Sequence, residues 1–282
     1  MTTARTWFIT GVNSGFGRAL AERLLAAGDR VAGTVRRDGS VDDLRSRHGD
    51  RFRVDHLDVT DLPRVREVVD AAFAALGRID VVVVNAGYGL FGAAEELSDE
   101  QVHHQVGTNL LGAIQTARAA LPHLRAQGGG RIIQISSVAG LAAHAGASLY
   151  HATKWGVEGF MEALAQEVAP FGIEVTLVEP GGARTEFARG NLRLSEPLAA
   201  YDGTPAAFVR QFRDGVAATV PVIGDPGKMA DRIIASADER PAPLRLVLGS
   251  DSYAASTAAL RARLAQVEPQ EAAAASTDAD DA

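Results

Sequence analysis

The sequence predicts an α/β chain: a doubly wound sheet of seven parallel strands, with helices on both faces. Three observations carry this. Short β-rich runs alternate seven times with stretches whose apolar residues recur every three to four positions. The run Ile79–Val84 (IDVVVV) is apolar and β-branched, as in a strand buried on both faces. The first strand run leads through a glycine-rich turn straight into a helix pattern.

Taken in order, Thr6–Thr10 (TWFIT) is the first strand. GVNSGFG follows, and then the helical RALAERLLAAGD, closed by Gly28. Strand, glycine turn and helix together suit a pyrophosphate: glycines let the backbone approach it, and the first helical turn offers N–H groups. Gly11, Asn13, Ser14, Gly15, Phe16 and Gly17 are the candidates there. The spacing Thr10-Gly11-x-x-x-Gly15-x-Gly17 differs from the commoner G-x-G-x-x-G. Val31–Val35 is the second strand. It ends without the acid that would bind a ribose 2′-hydroxyl; Arg36 and Arg37 follow, which suits a 2′-phosphate. Arg51–Leu57 is the third strand and Asp58-Val59-Thr60 its end. Asp58 is placed to accept from an adenine amino group, and Thr60 or Asp61 to cap the helix Leu62–Leu76.

After Ile79–Val84 comes Asn85-Ala86-Gly87, small enough for a cofactor to lie on the backbone. Ser98 is the expected N-cap of a long helix. His103 and His104, adjacent on it, diverge and are read as surface or partner-facing, not as a metal pair. Asn109 sits mid-helix among apolar residues, which calls for a hydrogen-bonding reason. Arg131–Ser136, Ile173–Val178 and Leu244–Leu248 complete the strands, and Ser250–Val267 is the last helix. Residues 1–265 are expected to form one domain, with 186–225 an irregular substrate loop or lid. Residues 266–282 read as an acidic, disordered tail.

Composition narrows the function classes. The net charge is −7, and five of those charges lie in the tail, which leaves the rest near −2. That argues against nucleic acid and acidic membranes as partners. There is no cysteine, so disulfides, thiolate catalysis and zinc–sulfur sites drop out. No signal peptide and no apolar run of membrane-spanning length is evident, so the expected location is the cytoplasm.

The chemistry centres on Ser137–Lys154. Tyr150 and Lys154 lie four apart on a helical pattern and so share a face. A fixed ammonium favours the phenolate, which is expected to draw the phenol down from its ordinary pKa of about 10 toward neutrality. Ser137, at the end of the RIIQIS run, can offer a hydroxyl to the same spot.

TGVNSGFG, DVT, NAG, Asn109, Ser137, YHATK and PGGART occur in the order and spacing of the short-chain dehydrogenase/reductase family, single-domain branch. The resemblance runs from about Thr6 to Gly249 and implies a Rossmann-type fold. It further implies that Gly11, Gly15 and Gly17 form the cofactor loop. Asp58 and Val59 would flank adenine, and Asn85, Ala86 and Gly87 would line the cleft. Pro180, Gly181 and Thr185 would bracket the nicotinamide. Ser137 would hold the substrate oxygen and Tyr150 would exchange the proton. Lys154 would bind the nicotinamide ribose and lower the tyrosine pKa, and Asn109 would hold a water linking Lys154 to solvent. TVRR, AGYGLFG and the chain length resemble the hydroxysteroid and retinol dehydrogenase-like subgroup.

The expected activity is an oxidoreductase with NADP(H) preferred and NAD(H) possible, interconverting an alcohol and a ketone without a metal. Ser14, where NADP-preferring members often carry a base, leaves Arg36 and Arg37 to carry the NADP reading. The competing reading is an inactive nucleotide-binding regulator; retention of Tyr150, Lys154, Ser137 and Asn109 counts against it. A hydrophobic substrate is expected against Leu90, Phe91, Leu141, His144 and Phe187, in a homodimer or homotetramer.

Overall fold

The computed structural model describes residues 4–185, 192–213 and 222–279. The helices are α1 (Gly15–Ala26), α2 (Asp42–His48), α3 (Leu62–Leu76), α4 (Asp99–Val106) and α5 (Gly112–Ala126). They continue with α6 (Ser148–Val168), α7 (Pro226–Ser236), α8 (Ser250–Val267) and α9 (Glu271–Ala275). The strands are β1 (Thr6–Ile9), β2 (Arg30–Val35), β3 (Phe52–His56), β4 (Val81–Val84) and β5 (Gly89–Phe91). β6 (Gly130–Ile135), β7 (Ile173–Pro180), β8 (Leu192–Leu194) and β9 (Arg245–Leu248) follow.

Seven strands form one parallel sheet in the order β3-β2-β1-β4-β6-β7-β9. The chain winds outward in one direction from β1 and then in the other from β4. The crevice beyond the carboxyl ends of β1 and β4 is where such a sheet takes a ligand. This is the doubly wound sheet that the alternation of strand and helix predicts.

Side chains alternate across a strand, and β4 shows the result. Val82 and Val84 enter a core with Phe8, Val69, Leu124 and Leu177; Val81 and Val83 enter another with Trp7, Leu20, Ile133 and Ile233. All four valines are buried, so the uniform apolar run follows from burial on two faces.

β5 and β8 pair in a second, two-stranded parallel sheet that sequence reading did not foresee. Each is three residues long, too short to show a period, and they meet only because the chain returns from a distance. α8 has the bounds expected of it. In the stretch expected to be a disordered tail, a 3-10 turn at Glu268–Gln270 leads into α9, and residues 264–279 are exposed throughout. The run EAAAA favours helix locally, alanine being the strongest helix former. Among the described residues no helix is long and apolar enough to cross a membrane.

Candidate active site

A cavity of about 1080 Å³ opens at the carboxyl ends of the strands, from the glycine turn to the β5–β8 sheet. Gly11, Asn13, Ser14, Gly15 and Phe16 form one end of it, at the start of α1. Helix N–H groups in that first turn have no partner within the helix. Gly11 and Gly15 have φ of 76° and 57°, which side chains rarely adopt. A Cβ on Gly15 would meet nothing within 4 Å, so the turn is open above that residue. Gly17 stands behind it: a Cβ there would lie 2.1 Å from Gly11 O and 2.6 Å from Asn85 Nδ2. The turn fits a pyrophosphate in both respects, a bare backbone facing the cavity and a close strand–helix approach behind.

Thr10 and Asn85 fasten this turn to β4. The Thr10 hydroxyl accepts from the Asn85 and Ala86 N–H groups at 2.9 and 3.0 Å. Asn85 Nδ2 donates to the Thr10 and Gly11 carbonyls at 2.8 and 3.0 Å. Asn85, Ala86 and Gly87 all line the cavity.

Both Arg36 and Arg37 are exposed past the end of β2, but only Arg36 lines the cavity. Asp58 and Val59 line the same end. Burial pushes the Asp58 carboxyl up, but hydrogen bonds from the Thr60 N–H and hydroxyl, at 2.9 and 2.8 Å, together with Arg36, leave it below its ordinary value. Asp61, not Thr60, caps α3, accepting from Arg64 N at 3.0 Å.

At the other end, Ser137 follows β6 and opens a 3-10 turn, its Oγ accepting from Ala139 N at 3.1 Å. The same hydroxyl hydrogen-bonds the Tyr150 phenol. Tyr150 and Lys154, one turn apart on α6, are 7% and 8% exposed, and both line the cavity. Lys154 Nζ donates to Ile135 O at 3.0 Å and lies 5.8 Å from the Tyr150 ring centroid. The hydroxyl, phenol and ammonium therefore converge.

The expected downward pull on the phenol is not what this geometry gives. Burial drives the Tyr150 phenol up to about 12, against the opposing hydrogen bond with Ser137. Burial likewise drives Lys154 down to about 8, with Glu158 opposing. Loss of water dominates both shifts, because both groups are inside the protein.

Asn109 is 2% exposed, in a π-helical turn (Gly107–Leu111) between α4 and α5. It does not line the cavity. Its Oδ1 accepts from Tyr88 N at 3.0 Å and its Nδ2 donates to Tyr88 O at 2.9 Å, so it anchors the residue that follows Gly87. That is the hydrogen-bonding reason its position calls for. Tyr88 lines the cavity, and its hydroxyl is joined to His104 Nδ1 at 2.8 Å. His104, read from sequence as surface or partner-facing, is half-buried and supports Tyr88, while His103 is exposed.

Pro180 at the end of β7, and Gly181 and Thr185 after it, line the cavity, and Gly182 N donates to Asp251 Oδ2 at 2.7 Å. Of the expected substrate walls, Phe91 and His144 line the cavity. Leu90 and Leu141 are buried and do not. Leu90 precedes Phe91 on β5 and so faces the opposite way. Phe187 lies outside the described residues. Sequence reading missed Tyr88, Leu192, Phe208, Gln211, Phe212 and Asp251 on the cavity wall. The aromatic pair Phe208 and Phe212, four apart in the run PAAFVRQF, was the available signal. Among the described residues no three His, Asp or Glu side chains gather as a metal site.

Residues 5–193 match the family model described as short chain dehydrogenase. The chain belongs to the short-chain dehydrogenase family. It is therefore an oxidoreductase by family, and its relatives carry that description. It is 39% identical over 249 residues to Oxidoreductase BOA17 of Botryotinia fuckeliana, covering 88% of this chain and 90% of that one. The crystal structure of a short-chain dehydrogenase from Streptomyces avermitilis superposes with a TM-score of 0.90 at 40% identity, covering 99% and 100% of the two chains. A short-chain dehydrogenase/reductase from Burkholderia phymatum in complex with NAD gives a TM-score of 0.78 at 26% identity, covering 95% of each chain. ElxO with NADP bound gives 0.72 at 26%, covering 87% and 96%.

Proposed function

We propose that this short-chain dehydrogenase interconverts a hydrophobic secondary alcohol and its ketone with NADP(H), Tyr150 exchanging the proton. The convergence of the Ser137 hydroxyl, the Tyr150 phenol and the Lys154 ammonium at one end of a cavity whose other end is a glycine turn carries this reading. The nicotinamide cofactor, when bound, supplies or accepts the hydride.

The protein's own part is positional and protic. Ser137 and Tyr150 donate to the carbonyl oxygen as negative charge develops there, and the phenol proton then moves across. Their mutual hydrogen bond sets the two donors side by side. A phenol held protonated by burial suits the reducing direction, since the acid is ready before the oxygen gains charge. Lys154, on the same face one turn later, would hold the nicotinamide ribose. Asn109 acts in this reading through Tyr88.

Arg36 supports NADP over NAD: it is the guanidinium on the cavity wall where NAD users place an acid. The similar structures named above hold NADP in one case and NAD in another, so NADH remains a permitted donor. Phe91, Leu192, Phe208 and Phe212 make the substrate end apolar, and the segment 186–225 would act as its lid. A homodimer or homotetramer in the cytoplasm is the assembly and location that accompany this reading. The test is a panel of hydrophobic ketones and alcohols with each cofactor, followed by nicotinamide absorbance. The reading predicts turnover of at least one apolar ketone, faster with NADPH than NADH. Cofactor binding without turnover of any member would favour the regulator instead.

A further inference from the structure

The face of α6 that carries Tyr150 and Lys154 does not stop there. Glu158 and Glu162 continue it at the same spacing of four. Glu158 is 4% exposed, an ionisable side chain buried with no part in the reaction described above. It meets Glu179 of β7, which is fully buried, and Arg245 at the start of β9. Among the described residues Arg245 is the one cation bonded to these three carboxylates: Glu158 Oε2 at 2.5 Å, Glu179 and Glu162.

One guanidinium cannot satisfy every oxygen. Glu158 Oε1 and Glu179 Oε2 are both buried, and neither receives an N–H or O–H from the described protein atoms. The two carboxyls nevertheless converge on one nitrogen, Arg245 Nη1, which draws an oxygen of each to the same point. Two carboxylates bond to one another only through a proton. Burial first, and the Glu158 charge second, push Glu179 upward, which favours a proton on the pair.

Glu158 also adjoins the reactive groups from behind. A Cβ on Gly140 would lie 2.4 Å from Glu158 Oε1, so this carboxyl packs directly on the 3-10 turn that Ser137 opens. It is the acid whose charge acts on Lys154, raising it against burial. The titratable groups on the elements packed around this turn are engaged elsewhere: His151 of α6 with the Ala139 carbonyl at 3.0 Å, Asp251 of α8 with Gly182 N, and Arg263 of α8 with the Leu141 carbonyl.

We propose that Glu158 and Glu179 form a buried carboxyl pair holding one proton between them under the clamp of Arg245, and that the remaining negative charge makes Glu158 a positioning residue which keeps Lys154 a buried ammonium behind Tyr150. This rests on the reading of Tyr150 and Lys154 given above. The pair is a charge source, not a group that touches substrate.

The chain has only two lysines, Lys154 and the exposed Lys228, so lysine-specific isotope labelling gives two side-chain NMR signals that a Lys228→Arg variant assigns. In Glu158→Gln a neutral amide replaces the charge, and the Lys154 ammonium is expected to titrate roughly one pH unit lower than in the parent, with Lys228 unmoved. The alkaline limb of kcat should move down in step, because activity needs the charged lysine. A Lys154 signal that titrates as in the parent overturns the proposal. The NMR titration needs no substrate, so it stands apart from whether Tyr150 turns anything over. A second measurement uses the unaltered protein: infrared spectra of glutamate-labelled chain at neutral pH should show the C=O stretch of a protonated buried acid, lost in Glu179→Gln. Absence of that band in the unaltered protein also overturns it.

Discussion

Asn85 Nδ2 donates to the carbonyl of Gly11 at 3.0 Å, so the end of β4 holds the glycine turn in place. The same amide reaches Thr10 O at 2.8 Å. Asn85→Ala removes both bonds and should cost about 1–3 kcal/mol of stability. Cofactor affinity should fall with it, since the turn loses its tie. Chemical denaturation and a dinucleotide titration on the same variant check both; unchanged affinity would detach Asn85 from the turn's shape.

Asn109→Ala tests the role found for that residue. The Tyr88 carbonyl keeps a donor in Gln105 Nε2 at 3.2 Å, but the Tyr88 N–H is left buried without a partner. The expected loss is about 1–3 kcal/mol. Because Tyr88 lines the cavity, KM should rise as well. A variant of parental stability would mean another group takes up that N–H.

Arg36→Ala should weaken NADPH by roughly 10-fold or more and leave NADH nearly unchanged, as expected when a charge-assisted bond to a phosphate is lost. Arg37→Ala should affect neither, because that side chain is off the cavity wall. Equal losses of NADPH and NADH in Arg36→Ala would mean that it reads something common to both.

Lys154 carries a pH-dependent cost. Its folded pKa, pushed down to about 8 by burial, lies below the ordinary lysine value of about 10.4. Between those values the unfolded chain holds more protons, so stability rises with pH across that window. Below it the full penalty applies. Lys154→Met should therefore be more stable than the parent at pH 7, by an amount on the order of 2–3 kcal/mol. The difference should shrink as pH approaches 10. Denaturation midpoints at several pH values decide it; a constant difference would place the lysine's cost elsewhere.

These residues also show what a sequence reveals and what it withholds. β4 and the doubly wound sheet were legible because burial on two faces writes itself as an unbroken apolar run. Tyr150 and Lys154 were legible because a helix turns spacing into direction, and Ser137 because it stands at the end of a strand run. Arg37, Leu90 and Leu141 lie off the cavity wall: Leu90 because neighbours on a strand face opposite ways, Arg37 and Leu141 because they follow a strand end and a 3-10 turn, where spacing gives no direction. Nothing local in the sequence marks Glu158 and Glu179 as buried. Their burial depends on Arg245, some seventy to ninety residues away, and no local pattern announces that pairing. The phenol's pKa went the other way from expectation for a related reason: spacing shows that a cation is near, but not how much water both groups lose.

The most direct measurement is Tyr150→Phe, assayed for NADPH binding and for reduction of whichever ketone the unaltered protein turns over. The ring stays, and with it the contact with Phe91 at 5.7 Å between centroids; the acidic hydrogen goes. Binding within a few-fold of the parent, with turnover down by roughly 100-fold or more, is the predicted result. Turnover at the parental rate in a folded, cofactor-binding variant would contradict it.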